Sequence, residues 1–264
     1  MKRIGNEWSP QVQAYLERIG FDGALDGSAE TLALLQERHL YSVPYENLDI
    51  LRRIPLSLEV DHLLDKIVMR RRGGYCFELN ALFGWLLREL GFPVTDLFAR
   101  FWRDEPDTPP KRRHHVLKVK AGDHDYLCDV GVGGVIPRRP VLITVNTEQQ
   151  QGSERYRLER DPMFGLMLCE WKRGVWSRIY SFTDEPQLAK DFLMATYWCE
   201  NAPDSIFMKD LMVSLLTPEG RKTIAGREFR TFSPEGVHTF TPRTEDEYEN
   251  ALQSYFGISL RIGS

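Results

Sequence analysis

A cysteine at position 76 follows two glycines in the run Arg70-Arg71-Arg72-Gly73-Gly74-Tyr75-Cys76-Phe77-Glu78 and opens an amphipathic stretch. The glycines permit a sharp turn. A thiol at the first position of a helix points into the positive end of the helix dipole, beside backbone N–H groups with no partner in the helix. Both effects favour the thiolate, which is the nucleophile. The competing reading makes Cys76 one more small buried apolar residue, with the glycines ending the preceding helix. A cysteine nucleophile also needs a base, and the base an acceptor that orients it. His114 and His115 open the run HHVLKVKA, and Asp129 lies in YLCDVGVGG shortly after. If these two strands pair, an imidazole and a carboxylate can face each other. Alternatively the histidines belong to a solvated basic patch with Lys111, Arg112 and Arg113. Asp129 lies between Cys128 and Val130 in an apolar context, where an unpartnered carboxylate is costly to bury. Gly131-Val132-Gly133-Gly134 follows at once and suits close backbone approach to a ligand or anion, though equally a plain strand-to-loop turn. Without GxGxxG or a Walker lysine it carries no nucleotide fingerprint.

The elements that must position these residues change period along the chain. Ser9-Pro10 reads as an N-cap and first turn, followed by Val12, Tyr15, Leu16 and Ile19 on one stripe and closed by Gly20. Ser28 caps a second helix with Leu32, Leu35 and His39. A third runs from Val60 through Ile67 and Val68 to Gly73-Gly74, and a fourth from Cys76 to Leu90 before Gly91 and Pro93. Residues 94–102, 114–121, 126–132, 141–145, 155–160 and 165–182 are rich in β-branched and aromatic residues and read as strands. Gly122-Asp123 and Lys172-Arg173-Gly174 read as hairpin turns. Beyond them come a helix over 186–198, strands over 210–217 and 222–232, and a last helix opened by the Thr244/Glu247 capping box and ended by Gly257. Residues 104–113, with three prolines, read as a loop. The expected fold class is α+β: a helical bundle (1–91), an antiparallel β-barrel or sandwich (92–198) and a mixed C-terminal part (199–264).

With 34 Lys and Arg against 38 Asp and Glu, the 264-residue chain carries a net charge of −4. That balance gives no electrostatic reason to expect nucleic acid or an anionic membrane as partner. Its four cysteines are scattered and form no CxxC pair, which argues against a disulfide framework and a structural zinc. Cys128, Cys169 and Cys199 read as core. The opening MKRIGNEWSP lacks the apolar stretch of a signal peptide, and no apolar run reaches membrane-spanning length. A cytoplasmic, reducing setting is expected.

These motifs together resemble the arylamine N-acetyltransferase family. The resemblance rests on RRGGYCFELN (71–80), HHVLKV (114–119), DVGVGG (129–134), VPYENL (43–48), and DF with PDSIF (191–192 and 203–207), in that family's order. It implies a Cys-His-Asp triad of Cys76, His114 and Asp129. His114 is preferred over His115 because Leu117 and Val119 stand at its +3 and +5 places, and because it precedes Asp129 by the family's usual interval. The resemblance also implies a helical bundle, a central β-barrel and a C-terminal α/β lid. The reaction it implies is acetyl transfer from acetyl-coenzyme A to an arylamine or hydrazine through an acetyl-cysteine, with no metal. Gly131 and Gly133 are expected to contact the pantetheine or pyrophosphate, and Tyr45 and Val132 to shape the acceptor pocket. At those last two places the family usually has phenylalanine. Thr196, Trp198 and Glu200-Asn201-Ala202 also depart from its C-terminal pattern. A cysteine hydrolase or amide-transferring enzyme using the same triad is the alternative, and a non-catalytic binding domain a third reading.

Overall fold

The computed structural model describes residues 8–103 and 108–260. Part of the expected opening segment (1–7) and of the expected loop (104–107) lies outside the described residues. Helix α1 (Pro10–Ile19) begins where the Ser9 side chain accepts the Val12 N–H and ends at left-handed Gly20. Ser28 caps α2 (Ala29–Ser42) in the same way. The chain then forms the short strand β1 (Tyr45–Glu46), one turn of helix α3 (Leu48–Leu51), and α4 (Val60–Leu63). Here the expectation of a regular third helix reaching Gly73-Gly74 needs correction. A π-helical turn over Leu64–Met69 ends it early, Arg71 takes a left-handed φ of 52°, and residues 71–75 are not helical. Helix α5 (Cys76–Glu89) starts at the cysteine and buries Phe77, Leu79, Leu82, Phe83, Leu86 and Leu87.

The middle of the chain is one eight-stranded antiparallel sheet, nearly closed on itself. Its strands are β2 (Val94–Phe101), β3 (Arg112–Ala121), β4 (His124–Cys128), β5 (Val141–Leu142), β6 (Gln149–Gln151), β7 (Glu154–Asp161), β8 (Gly165–Lys172) and β9 (Val175–Phe182), in the order β5-β4-β3-β2-β9-β8-β7-β6. The two end strands meet through a side chain: Gln149 accepts the Leu142 N–H at 2.8 Å and donates to its carbonyl at 2.9 Å. Arg173 and Gly174, both at positive φ, make the two-residue β8–β9 turn. Strand β4 stops at Cys128, earlier than the expected 132. The N–H groups of Asp129, Val130 and Gly131 are taken by the side chains of Gln36, Asn80 and Asp129, so no ladder can continue.

The expected helix over 186–198 is a 3-10 turn (Ala189–Phe192) followed by α6 (Leu193–Asn201). Strand β10 (Val213–Thr217) pairs with β1 on one side and β11 (Gly220–Ala225) on the other. The expected single strand over 222–232 is a hairpin: left-handed Gly226 breaks it, and β12 (Glu228–Ser233) returns. Strand β13 (Gly236–Phe240), unforeseen because it is exposed throughout and shows no alternation, completes a five-stranded sheet. Helix α7 (Glu245–Phe256), capped by Thr244, covers that sheet around Phe229, whose ring meets Phe240, Tyr248, Tyr255 and Phe256. The α+β class with bundle, barrel and C-terminal α/β part is therefore the observed one. Truncating fully buried Phe229 to alanine is expected to cost about 3–5 kcal/mol, read as a lower urea midpoint at unchanged slope.

Candidate active site

Cys76 reaches its position through a tightly packed approach. A methyl group on Gly73 would stand 2.0 Å from the Pro44 carbonyl oxygen, so only glycine lets this segment lie against β1. A bridge between Tyr45 and Gly74 follows, with the Glu46 N–H donating to the Gly74 carbonyl at 2.8 Å. The Cys76 side chain then projects from the first turn of α5 toward β3, its sulfur 3.7 Å from the Arg113 carbonyl oxygen and its residue 2% exposed.

His114 on β3 stands beside it. Its Nε2 is 2.6 Å from Asp129 Oδ2, and its imidazole interacts with the Cys76 side chain. Asp129 is held in turn by Asn80 Nδ2 and by the Gly131 N–H, each 2.8 Å from Oδ1. Asn80 is one helical turn beyond Cys76 on the same face of α5, and its amide also donates to the His115 carbonyl at 2.7 Å. The rings of Phe101 and Tyr180 close over the imidazole. His115 points to the other face of β3, with Nε2 2.9 Å from Asp96 and its ring stacked on Phe192.

The charges follow from this enclosure. Burial works against the His114 imidazolium, but the Asp129 carboxylate and the hydrogen bond with Cys76 outweigh it, and the pKa is pushed up to about 10. Burial pushes the Cys76 thiol up, and the His114 hydrogen bond and charge pull against it. A thiolate in this site is thus stable only while an imidazolium faces it. The unit can give up and recover one proton internally, which is what a thiol nucleophile with its own base requires.

Cys76 and His114 form part of the wall of a cavity of about 310 Å³ between bundle, barrel and C-terminal sheet. Tyr45, Val132, Gly131 and Gly133, expected at the binding site, line this same cavity. Gly131 is also tied into the protein: its N–H serves Asp129, and a methyl group there would sit 2.6 Å from the Cys76 Cα. One on Gly133 would sit 2.7 Å from the Tyr45 ring. Asn80, Gln36 and Arg113 are the participants the sequence reading missed. Asn80 had a signal in its i+4 interval from Cys76. Gln36 on α2 had none, and Arg113, grouped with the surface patch, is buried and lines the cavity. Among the described residues no cluster of His, Cys, Asp or Glu could hold a metal ion, and no helix is long and apolar enough to cross a membrane.

A family model described as N-acetyltransferase matches residues 28–264. The arylamine N-acetyltransferase of Mycolicibacterium smegmatis is 36% identical over 251 residues, covering 93% of this chain and 91% of that protein. The chain belongs to the arylamine N-acetyltransferase family. Among solved structures of that family, the enzyme from Salmonella typhimurium superposes with a TM-score of 0.92 at 28% identity, covering 97% of this chain and 94% of that one. The Mycobacterium marinum enzyme in complex with CoA gives 0.86 at 34%, covering 94% and 92%. As a member of the arylamine N-acetyltransferases the chain is an acetyltransferase enzyme, and its bundle, barrel and α/β part are the family's fold.

The raised His114 pKa links the site to stability. A histidine near 6.5 when unfolded and about 10 when folded contributes stability that is complete below pH 6.5 and lost as pH rises toward 10. Asp129→Asn removes the main cause. The melting-temperature gap between wild type and Asp129→Asn is therefore expected to be widest near pH 6 and to narrow steadily to pH 10. A gap independent of pH would contradict this account.

Proposed function

We propose that the protein transfers an acetyl group from acetyl-coenzyme A to the nitrogen of an arylamine or hydrazine, in two half-reactions through an acetyl-Cys76. The observation that carries this reading is the buried His114 imidazole held between the Cys76 sulfur and Asp129 Oδ2. The Cys76 thiolate attacks the thioester carbonyl carbon. Backbone N–H groups left without helical partners in the first turn of α5 would stabilise the oxyanion that forms. As the tetrahedral adduct collapses, the bond to the coenzyme sulfur breaks and His114 delivers its proton to that sulfur. In the second half an amine nitrogen attacks the acetyl-cysteine, neutral His114 takes the amine proton, and the Cys76 thiolate departs to restore the ion pair. Asp129 orients the imidazole and favours its charged form throughout.

Acetyl-coenzyme A as donor is supported by the family and by the Mycobacterium marinum relative, whose structure is a complex with CoA. Tyr45 and Val132 would bound the acceptor's aromatic ring, and the Gly131–Gly133 backbone would run beside the donor's pantetheine arm. Small molecules of these two kinds are the partners of the reading, in a reducing, cytoplasmic compartment that keeps the thiol free. The division 1–91, 92–198 and 199–264 fits it, with nucleophile, base and lid drawn from successive parts.

Incubation with acetyl-coenzyme A alone should add about 42 Da to the peptide containing Cys76, and an arylamine should discharge it. Cys76→Ala and His114→Ala should each lower acetyl transfer by more than about a thousandfold while the proteins stay folded. His115→Gln, on the other face of the strand, should retain most of it. Substantial transfer by Cys76→Ala would overturn the reading; peptide or amide cleavage without an adduct would instead favour a hydrolase.

A further inference from the structure

Five charged side chains are buried behind the start of α5 and take no part in the chemistry above. Glu78, in the first turn of α5, accepts the Tyr75 N–H through Oε2 at 3.2 Å and the Lys66 ammonium through Oε1 at 2.7 Å. Lys66 also meets Asp49 Oδ2 at 2.7 Å. Arg72 joins Asp49 Oδ1 at 2.9 Å to Glu46 Oε1 at 2.9 Å, and Glu46 accepts the N–H groups of Gly73 and Leu48. The lattice therefore runs from the residue before the nucleophile to β1, which carries Tyr45. The π-helical turn over Leu64–Met69 belongs to it, since it turns Lys66 inward among these carboxylates.

Two cations against three carboxylates in a dry interior is an expensive way to obtain stability. Apolar side chains of similar shape commonly do as well or better. What such side chains cannot supply is an acceptor for the Tyr75 N–H, the last backbone donor before Cys76. The neighbourhood leaves no slack: the Cys76 Cα touches Gly131, and Gly131 is bonded to the Asp129 that orients His114. A shift of the helix start by a fraction of an ångström alters the sulfur–imidazole contact first.

We propose that Glu78 is a positioning residue for the nucleophile: it fixes the start of α5 through the Tyr75 N–H, and Lys66 is the counter-ion that lets a carboxylate do so while buried. Burial pushes the Glu78 carboxyl up and Lys66 pulls it back, consistent with that division of labour. The proposal rests on Cys76 being the acetyl-accepting thiol.

Two double variants separate positioning from plain structural support. Lys66→Met with Glu78→Gln removes one charge of each sign and keeps an acceptor for the Tyr75 N–H. Lys66→Met with Glu78→Leu removes the same charges and the acceptor; Glu78→Met serves in its place if the leucine protein does not fold. For proteins with matching melting temperatures, the glutamine form is expected to exceed the leucine form roughly ten- to a hundredfold in kcat, with acceptor KM within about twofold. Iodoacetamide modification of Cys76 at pH 7, followed by peptide mass, should show the same order. Equal kcat and equal alkylation rates in the two folded proteins would overturn the proposal. The alkylation arm does not depend on acetyl transfer, so an active Cys76→Ala would remove the mechanism above without being mistaken for failure here.

Discussion

A carboxylate buried among apolar side chains has to be fully hydrogen-bonded, and at Asp129 three parts of the chain supply the donors. His114 comes from the barrel, Asn80 from the helix of the bundle that carries Cys76, and the Gly131 N–H from the loop after Asp129 itself. Gln36 on α2 fixes the Asp129 backbone N–H as well. The docking of bundle on barrel is thus specified by one charge, and it cannot slip without leaving that charge unpaired. Breaking a pair of this kind costs several kcal/mol, far more than its net contribution compared with an apolar replacement. The same bond orients the His114 imidazole and favours its charged form beside the Cys76 thiol.

The glycines show how the constraint spreads into packing. Sequence logic treats Gly131 and Gly133 as places where a ligand approaches the backbone. Both do line the cavity, but each also has a protein neighbour where a side chain would go, Cys76 and Asn80 at one and Tyr45 at the other. Gly73 is shaped by the Pro44 carbonyl in the same manner. Close backbone packing and the cavity wall therefore share one short run of residues.

Much of this was legible from local chemistry. Ser9, Ser28 and Thr244 announced helix starts because a cap needs only a side-chain oxygen and the N–H three residues on. Cys76 stood out because turn, helix start and thiol are adjacent in the chain. The choice between His114 and His115 rests on the family's motif, Leu117 and Val119 at +3 and +5 and the interval to Asp129, and not on chemistry, since neighbours on a strand differ only in which face is buried against what. Three kinds of feature stayed hidden. Strand β13 is exposed on both faces, so it shows no period. The hairpin at Gly226 joins two similar runs that read as one. Gln36 reaches Asp129 across 93 residues, and nothing around it hints at a partner.

The third part of the fold is joined to the other two through β1, and this limits how the cavity wall can vary. Tyr45 pairs with Ser214 of the C-terminal sheet on one edge and bridges to Gly74 on the other, while its ring lies over Gly133. Its neighbour Glu46 carries Arg72 and the Gly73 N–H. Tyr45, on the cavity wall, and the segment that leads to Cys76 are therefore hydrogen-bonded neighbours in one assembly. A change in the size of the side chain at position 45 is transmitted to the C-terminal sheet and to the approach to Cys76 together. Val132 lies outside that strand, between Gly131 and Gly133, and is buried in the main apolar core as well as lining the cavity. A change of size at position 132 is therefore felt in the core as well as in the cavity, and one at position 45 also in the approach to Cys76.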